Sequence, residues 1–456
     1  MSDNPLSDRR VQAAHLLRRA GFGGTQAEID QLAAMSHSDA VDKLLNFKYD
    51  GNLAFNLQRK LQENGYEANL NDIAYWWMLT MTHTRQPLQE KMALFWHGHF
   101  TSSFSKVRDP MLLLEQNELF RTNALSNFND LVKKVSRNPA MIDFLDGEAN
   151  RKGKPNENYA RELMELFTIG IGNYTEQDVR EAARAFTGWT YRDRAYVFTP
   201  ALHDNGSKTF MGKTGNFNGD DIIDIILARR ESGKFIITKL WNFFVYENPE
   251  PQVIDRLTDL YFSNNYSIKE VMRAILTSPE FLSPKAYRAL VKSPVEYVVG
   301  MVKDLGMGNV ESRIATAAAG MGQTLFNPPT VKGWDGGKSW INSSYFFDRI
   351  NAANVLATSR NQNYQYDPYS LLGISDNNSQ PPNTAAKLVD KFAAILLDGQ
   401  AHPDVKTALS DYLGGNNFKP TDLLAAAANK PAGKQLDTKV RGTLHLIMST
   451  PDYMLK

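Results

Sequence analysis

Most of the chain has the apolar spacing of amphipathic helices, and this pattern restricts the fold more than any other feature of the sequence. Near the amino terminus, Val11, Ala14 and Arg18 fall on one helical face, and Gly21 then ends the pattern. Segments with the same spacing, separated by Pro, Gly, Asn and Ser, follow one another almost to the last residue. The spacing therefore predicts an all-α protein.

Strand-prone segments are few. The residues 196–199 and 209–211 are short, rich in β-branched and aromatic side chains, and flank a polar turn. We expect them to pair as one hairpin. The predicted architecture is a large multi-helix body with one small β-hairpin and a C-terminal helical region.

A polar stretch near the carboxyl end suggests a division of the chain. Residues 361–383 are rich in Asn, Gln, Pro and Ser, a composition that is typical of linkers. The sequence therefore predicts a mainly helical body over 1–360, a linker over 361–383 and a helical region over 384–456.

Composition excludes several classes of function. Lys plus Arg is 51 and Asp plus Glu is 50, so no global field attracts nucleic acid. The absence of cysteine excludes disulfides, thiolate nucleophiles and cysteine-bound metals. The sequence contains no run of 18 apolar residues, so it predicts no membrane span. The amino terminus has no secretory signal pattern, so we expect a cytoplasmic protein.

The densest group of polar side chains lies between residues 155 and 192, a predicted pair of helices. Glu157, Arg161 and Glu165 recur every four residues and share a face, and Glu162 lies one helical step from Arg161. We predict the three glutamates as catalytic acids, bases or metal ligands, and Arg161 as an anion-binding group. The alternative is a salt-bridged helix surface.

Local sequence signals mark where these two helices end and begin. Gly170 and Gly172 are expected to end the first helix. Thr175 is expected to cap the second helix, with Asp178 at the third helical position completing a capping box.

Two histidines, His97 and His99, lie close together at a predicted helix end. They would point apart in a continuous helix, but the intervening glycine allows the helix to end there and both rings to turn inward. We predict them as ligands of a divalent metal, with a further ligand such as His203, which is also a candidate proton carrier. The alternative is a pair of structural histidines.

The segment 203–221 is dense in Gly, Asn, Asp and Lys. Its glycine spacing does not fit a phosphate-binding Walker loop, because five residues separate Gly206 from Gly212. We predict that Lys208 and Lys213 bind an anionic ligand, and the alternative is a glycine-rich connection that binds only its own backbone.

Trp334 and Trp340 belong to a predicted loop. Tryptophans on loops stack on flat ligands such as sugar rings, so we predict both as ligand-binding residues. The alternative is that they anchor the loop to the body.

The motifs together resemble one bacterial family. The segments NENYARELMELFTIG (156–170) and YTEQDVREAARAFTGW (174–189) are similar to the signature of the domain-of-unknown-function 1800 (DUF1800) family. Further pieces that resemble the family are HLLRRAGFG (15–23), FWHGHF (95–100), HDNGSK (203–208) and GWDGGKSWIN (333–342). The resemblance implies no established activity. It does imply that many relatives are secreted and encoded beside sulfatase-like proteins.

These observations lead to two hypotheses of function. The first is a metal-assisted hydrolase acting on a polar ligand, either carbohydrate-like or phosphorylated. The second is a non-catalytic binding or assembly protein whose polar motifs form a buried ion-pair network. The hydrolase hypothesis requires the helix pair, the histidines, the 203–221 segment and the tryptophan loop to converge in one site.

Overall fold

The computed structural model describes residues 4–47, 67–360, 364–374 and 380–456. Helices dominate the part of the chain that it describes, which confirms the predicted fold class. The helices of the first half are α1 (Arg9–Arg19), α2 (Gln26–Ala33), α3 (His37–Leu45), α4 (Leu70–His83), α5 (Pro87–His99), α6 (Phe104–Val107), α7 (Pro110–Thr122), α8 (Phe128–Ser136), α9 (Pro139–Phe144), α10 (Asn158–Glu162) and α11 (Glu176–Ala185).

The second half continues in the same way. Its helices are α12 (Gly219–Leu227), α13 (Arg230–Phe244), α14 (Pro251–Ser263), α15 (Ile268–Leu276), α16 (Pro294–Asp304), α17 (Arg313–Gly320), α18 (Ser343–Thr358), α19 (Ala385–Leu397), α20 (Pro403–Leu413), α21 (Pro420–Ala427), α22 (Lys434–Met448) and α23 (Pro451–Met454).

The strands form small antiparallel pairs. β1 (Trp189–Arg192) pairs with β2 (Ala195–Phe198), and β3 (Lys208–Phe210) pairs with β4 (Lys213–Gly215). A third pair joins Asn309–Val310 to Tyr364–Gln365. Both strand-prone segments do form strands, but they do not pair with each other as expected. Each pairs with its own neighbour across a tight turn, because short local connections are easier to close.

The helix boundaries follow local capping rules. Thr175 and Asp178 form the expected capping box at the start of α11, with the Asp178 carboxylate 2.8 Å from the Thr175 nitrogen. Gly170 and Gly172 both have positive φ, which ends the preceding helix. Pro87 occupies the first turn of α5, where its missing N–H leaves no hydrogen bond unmade.

One hydrophobic core runs through the described residues, from the first helix to the last. Trp77, Trp96 and Trp241 are completely buried in it, and Trp76 packs on its edge. Large aromatic rings of this kind contribute much of the free energy of burial.

The C-terminal residues share this core. Helices α18 and α22 pack together, and the Tyr297 hydroxyl donates to the Met448 carbonyl at 2.8 Å. Within the predicted linker, Tyr366 and Tyr369 are buried, while 361–363 and 375–379 lie outside the described residues. The division at 361–383 thus stays a prediction, and the core extends across it. None of the helices in the described ranges is both long and apolar enough to cross a bilayer.

Candidate functional site

Arg161 ties the two helices of the motif region together. Its guanidinium donates to both carboxylate oxygens of Glu176 on α11, each at 2.8 Å, and to Glu157 at 3.2 Å. The hydrogen bonds to Glu176 raise the pKa of Arg161, which opposes the effect of burial. Arg161 and Glu157 are therefore engaged with protein partners, as the salt-bridge alternative expected.

Helix α10, the first helix of the motif region, widens into a π-helical turn directly after Glu162. This segment, Leu163–Thr168, has the Ile169 N–H donating to the Met164 carbonyl at 3.1 Å, five residues back. The Thr168 hydroxyl donates to the Leu163 carbonyl. Single π turns are rare and occur often at functional sites.

Glu162 and Glu165 lie on the partly exposed face of this turn, whereas Leu163, Met164 and Phe167 are buried. Among the described residues, no hydrogen bond or salt bridge involves the Glu162 carboxylate. Partial burial and the neighbouring Glu165 raise the pKa of Glu162, and this exceeds the opposing effect of Arg161.

Glu165 has a defined partner. The Tyr174 hydroxyl donates to the Glu165 carboxylate at 3.0 Å, and this hydrogen bond fixes the orientation of Glu165. Burial, together with this hydrogen bond, raises the pKa of Tyr174 to about 12. Two carboxylates in different environments on one face are the arrangement that acid–base catalysis uses.

A second polar cluster forms around Arg184 of α11. Its guanidinium lies 2.8 Å from the Glu181 carboxylate and 2.8 Å from the Asp204 carboxylate. The hydrogen bond from Arg184 lowers the pKa of Asp204 to about 2. This cluster attaches the loop after β2 to α11.

The side chains of that loop that were predicted as site residues include two that form hydrogen bonds to nearby backbone carbonyls. His203 is buried, and its Nδ1 donates to the Thr187 carbonyl at 2.8 Å. Lys208 is buried and donates to the carbonyls of Asp204 and Gly206 at 2.7 and 3.1 Å, whereas Lys213 is exposed. Within the described chain, none of these residues contacts Glu162 or Glu165. His203 and Lys208 hold the loop in place.

The two histidines of α5 face different surroundings. The His97 Nε2 accepts the Phe326 N–H at 3.0 Å, and burial lowers the pKa of His97 to about 3. The His99 Nε2 donates to the Phe167 carbonyl of the π-helical turn at 2.9 Å. In the described ranges, no group of three or more His, Cys, Asp or Glu side chains is placed to hold a metal ion. The geometry gives the predicted metal site no support.

The tryptophan loop packs on this histidine turn. The Trp334 ring is 5.6 Å from the His97 ring, and Gly333 approaches so closely that a Cβ would lie 2.5 Å from the Gly98 carbonyl. Trp340 is buried, which fits the anchoring alternative, whereas Trp334 stays partly exposed. The structure thus joins the π-helical turn, the histidines and Trp334, and leaves His203 elsewhere.

Lys239 of α13 completes this junction, and sequence reasoning missed it. Its Nζ donates to the Leu166 carbonyl at 2.9 Å and lies 3.4 Å from the His99 Nδ1. Burial and the nearby Lys332 lower the pKa of Lys239 to about 8. No motif contains this lysine, so no signal in the sequence pointed to it.

A buried charge network lies apart from the motif helices. Glu296 of α16 binds the ammonium groups of both Lys91 and Lys456, and all three side chains are buried. Nearby, Arg18 donates twice to Asp398, at 2.9 and 2.7 Å. A cavity of about 10 Å³, room for one water molecule, is lined by Arg18, Glu296 and Lys456 among others. Arg18 belongs to the 15–23 motif, but its partners have no local signal.

The comparisons with known proteins give a family without a function. The family described as "Protein of unknown function (DUF1800)" matches residues 15–455, which confirms the resemblance drawn from the motifs. No curated protein and no solved structure matches the chain.

Proposed function

The chain belongs to the DUF1800 family, which supplies no activity, and we propose from its geometry that it is an enzyme of hydrolase type. The observation that carries the proposal is the carboxylate pair on the π-helical turn. Glu162 is partly buried and free of hydrogen bonds within the described chain, and Glu165 beside it is oriented by Tyr174. A carboxylate with a raised pKa at an irregular helical turn is typical of functional sites.

The other carboxylates in and around the motif region, including the predicted Glu157, are less suited to chemistry. Arg161 pairs with Glu157 and Glu176, so the charge of each is balanced by the same guanidinium. Arg184 does the same for Glu181 and Asp204. A group held in an ion pair gives up or accepts a proton less readily near neutral pH. Asp178 is engaged as a helix cap of α11 and accepts the Met211 N–H. Glu162 and Glu165 are the pair that remains.

Their environments suggest separate roles. Glu162, whose pKa is raised, keeps its proton to higher pH and would act as the general acid that protonates a leaving group. Glu165, which accepts the Tyr174 hydroxyl, would act as the base that activates water. This scheme is narrower than the metal-assisted hydrolase expected from the sequence, which required four segments to converge. It needs neither the histidines nor the 203–221 segment, because acid–base work can be done by two carboxylates alone.

The surroundings favour a polar substrate with a flat apolar face, such as a sugar. Tyr174 offers an aromatic ring next to Glu165. Ile171, at the tip of the turn between the helices, is 77% exposed and adds an apolar contact.

Replacing Glu162 by glutamine is expected to lower turnover by about 100-fold, since a general acid contributes roughly 10²–10⁴-fold. The measurement is hydrolysis of a panel of aryl glycosides and aryl phosphate esters by the purified chain. Wild-type activity should fall as pH rises through the pKa of Glu162, because the acid must be protonated.

Glu231→Gln is the matched control, since Glu231 is a partly exposed carboxylate on α13. Its only salt bridge within the described ranges is a long one to Arg229. Its turnover should equal that of the wild type. Equal activity in Glu162→Gln and Glu231→Gln would contradict the assignment of Glu162.

A second candidate function is a non-catalytic binding or assembly protein. The buried pairs of Glu296 with Lys91 and Lys456 favour it, because buried charges sometimes serve to specify one arrangement of packed elements. Failure of the wild type to hydrolyse any panel member would favour this candidate over the enzyme.

A further inference from the structure

Lys239 is placed as an amine nucleophile beside a base. Its Nζ is 3.4 Å from the Nδ1 of His99, and no carboxylate pairs with it among the described residues. The other nitrogen of His99 lies 2.9 Å from the Phe167 carbonyl and must donate to it. The Nδ1 lone pair therefore faces Lys239. A nucleophile, a base and a group that orients the base are the parts that covalent catalysis requires.

Few neighbouring groups stabilise the protonated form of the Lys239 amine. In the part of the chain that the structure describes, its one short hydrogen bond goes to the Leu166 carbonyl at 2.9 Å, a neutral acceptor. The Phe235 ring lies 4.7 Å from Nζ, and Lys332 opposes the charge. Partial burial next to another cation is the environment in which lysines become nucleophilic near neutral pH. The Lys239 side chain as a whole is half-buried.

We propose that Lys239 is a reactive amine that binds an aldehyde or ketone covalently as a Schiff base. The Nζ lone pair attacks the carbonyl carbon, a C–N bond forms, and the C=O π electrons move to oxygen. His99 Nδ1 accepts a proton from the nitrogen and returns it to that oxygen. His99 Nδ1 then accepts the second amine proton and passes it to the same oxygen as the C–O bond breaks. Water leaves and the C=N bond forms, so no oxidant or reductant is needed.

This inference uses different side chains from the proposed hydrolase chemistry. Glu162 and Glu165 take no part in it, so each assignment can fail without the other. An amine nucleophile attacks a carbonyl carbon, so the ligand is expected to carry an aldehyde or ketone group.

The test is reductive labelling of the full chain with pyridoxal and sodium cyanoborohydride, followed by mass spectrometry of each lysine. At about pH 7.5, Lys239 should be labelled about tenfold faster than Lys387, an exposed lysine of α19, because more of it is uncharged. Lys239→Arg should remove this fast labelling, whereas Lys387→Arg should leave it unchanged.

The comparison of two lysines within the wild-type chain does not depend on how well a variant folds. Labelling of Lys239 that is no more than about twofold faster than that of Lys387 would overturn the proposal. Fast labelling that persists in Lys239→Arg would overturn it as well, because the reactive amine would then be another residue.

Discussion

Glu296→Gln is expected to lower the free energy of unfolding by about 3–5 kcal/mol, the usual loss when one partner of a buried ion pair is removed. Glu296 is 4% exposed and binds the ammonium groups of Lys91 and Lys456. Burial alone would raise the pKa of Glu296, but the two lysines lower it well below its usual range. The glutamine would leave two buried cations without a counter-charge. Urea denaturation measures the effect.

Two further variants sharpen this prediction. Glu280→Gln, which removes a surface partner of Arg256, should cost less than about 1 kcal/mol. Adding Lys456→Met to Glu296→Gln should recover part of the loss, because one unpaired cation disappears. A loss for Glu296→Gln as small as that for Glu280→Gln would show that the buried pairs contribute little to stability.

Arg121→Met is expected to cost about 3–5 kcal/mol for the same physical reason. Arg121 and Glu90 are almost completely buried, and the guanidinium reaches the carboxylate through two nitrogens, one of them at 2.9 Å. The Trp77 indole donates to the same carboxylate at 2.9 Å. Without Arg121, this indole would be the main remaining partner of a buried charge. Thermal and urea unfolding both report the change.

Arg230→Met provides the comparison for Arg121. Arg230 is 46% exposed and pairs with Asp255 and Asp259 at the surface, so its removal should cost at most about 1 kcal/mol. If both methionine variants unfold at the same urea concentration, burial does not set the strength of these pairs.

The fold could be predicted from sequence because its rules are local. Helical spacing located the elements, and capping residues such as Thr175 and Pro87 fixed where helices begin. The strand partners were less predictable, since residues 196–198 had two possible neighbours and the choice depends on chain closure. Short strands carry too little side-chain pattern to decide this.

The buried network could not be predicted, because its members come from distant parts of the chain. Lys91 and Glu296 are separated by 205 positions, and no local pattern relates them. The same holds for Arg18 and Asp398. Charged side chains are usually exposed, so their burial emerges only when the packing is known.

The candidate site was predicted in part. The sequence marked Glu162, Glu165 and the histidine turn, and the structure joins His99 to the π-helical turn through the Phe167 carbonyl. The π turn itself has no sequence signal, because its residues also suit an ordinary helix. Lys239 was missed for a similar reason, since a lysine inside an amphipathic helix usually faces water.

The most direct test of the central claim is a pH titration of the Glu162 carboxyl carbon by NMR, in the wild type and in Glu165→Gln. We expect a wild-type pKa above the ordinary glutamate value, because burial and Glu165 both raise it. Removing the charge of Glu165 should move that pKa downward, and Glu231→Gln should not change it. A wild-type pKa at or below the ordinary value would contradict the assignment of Glu162 as the acid.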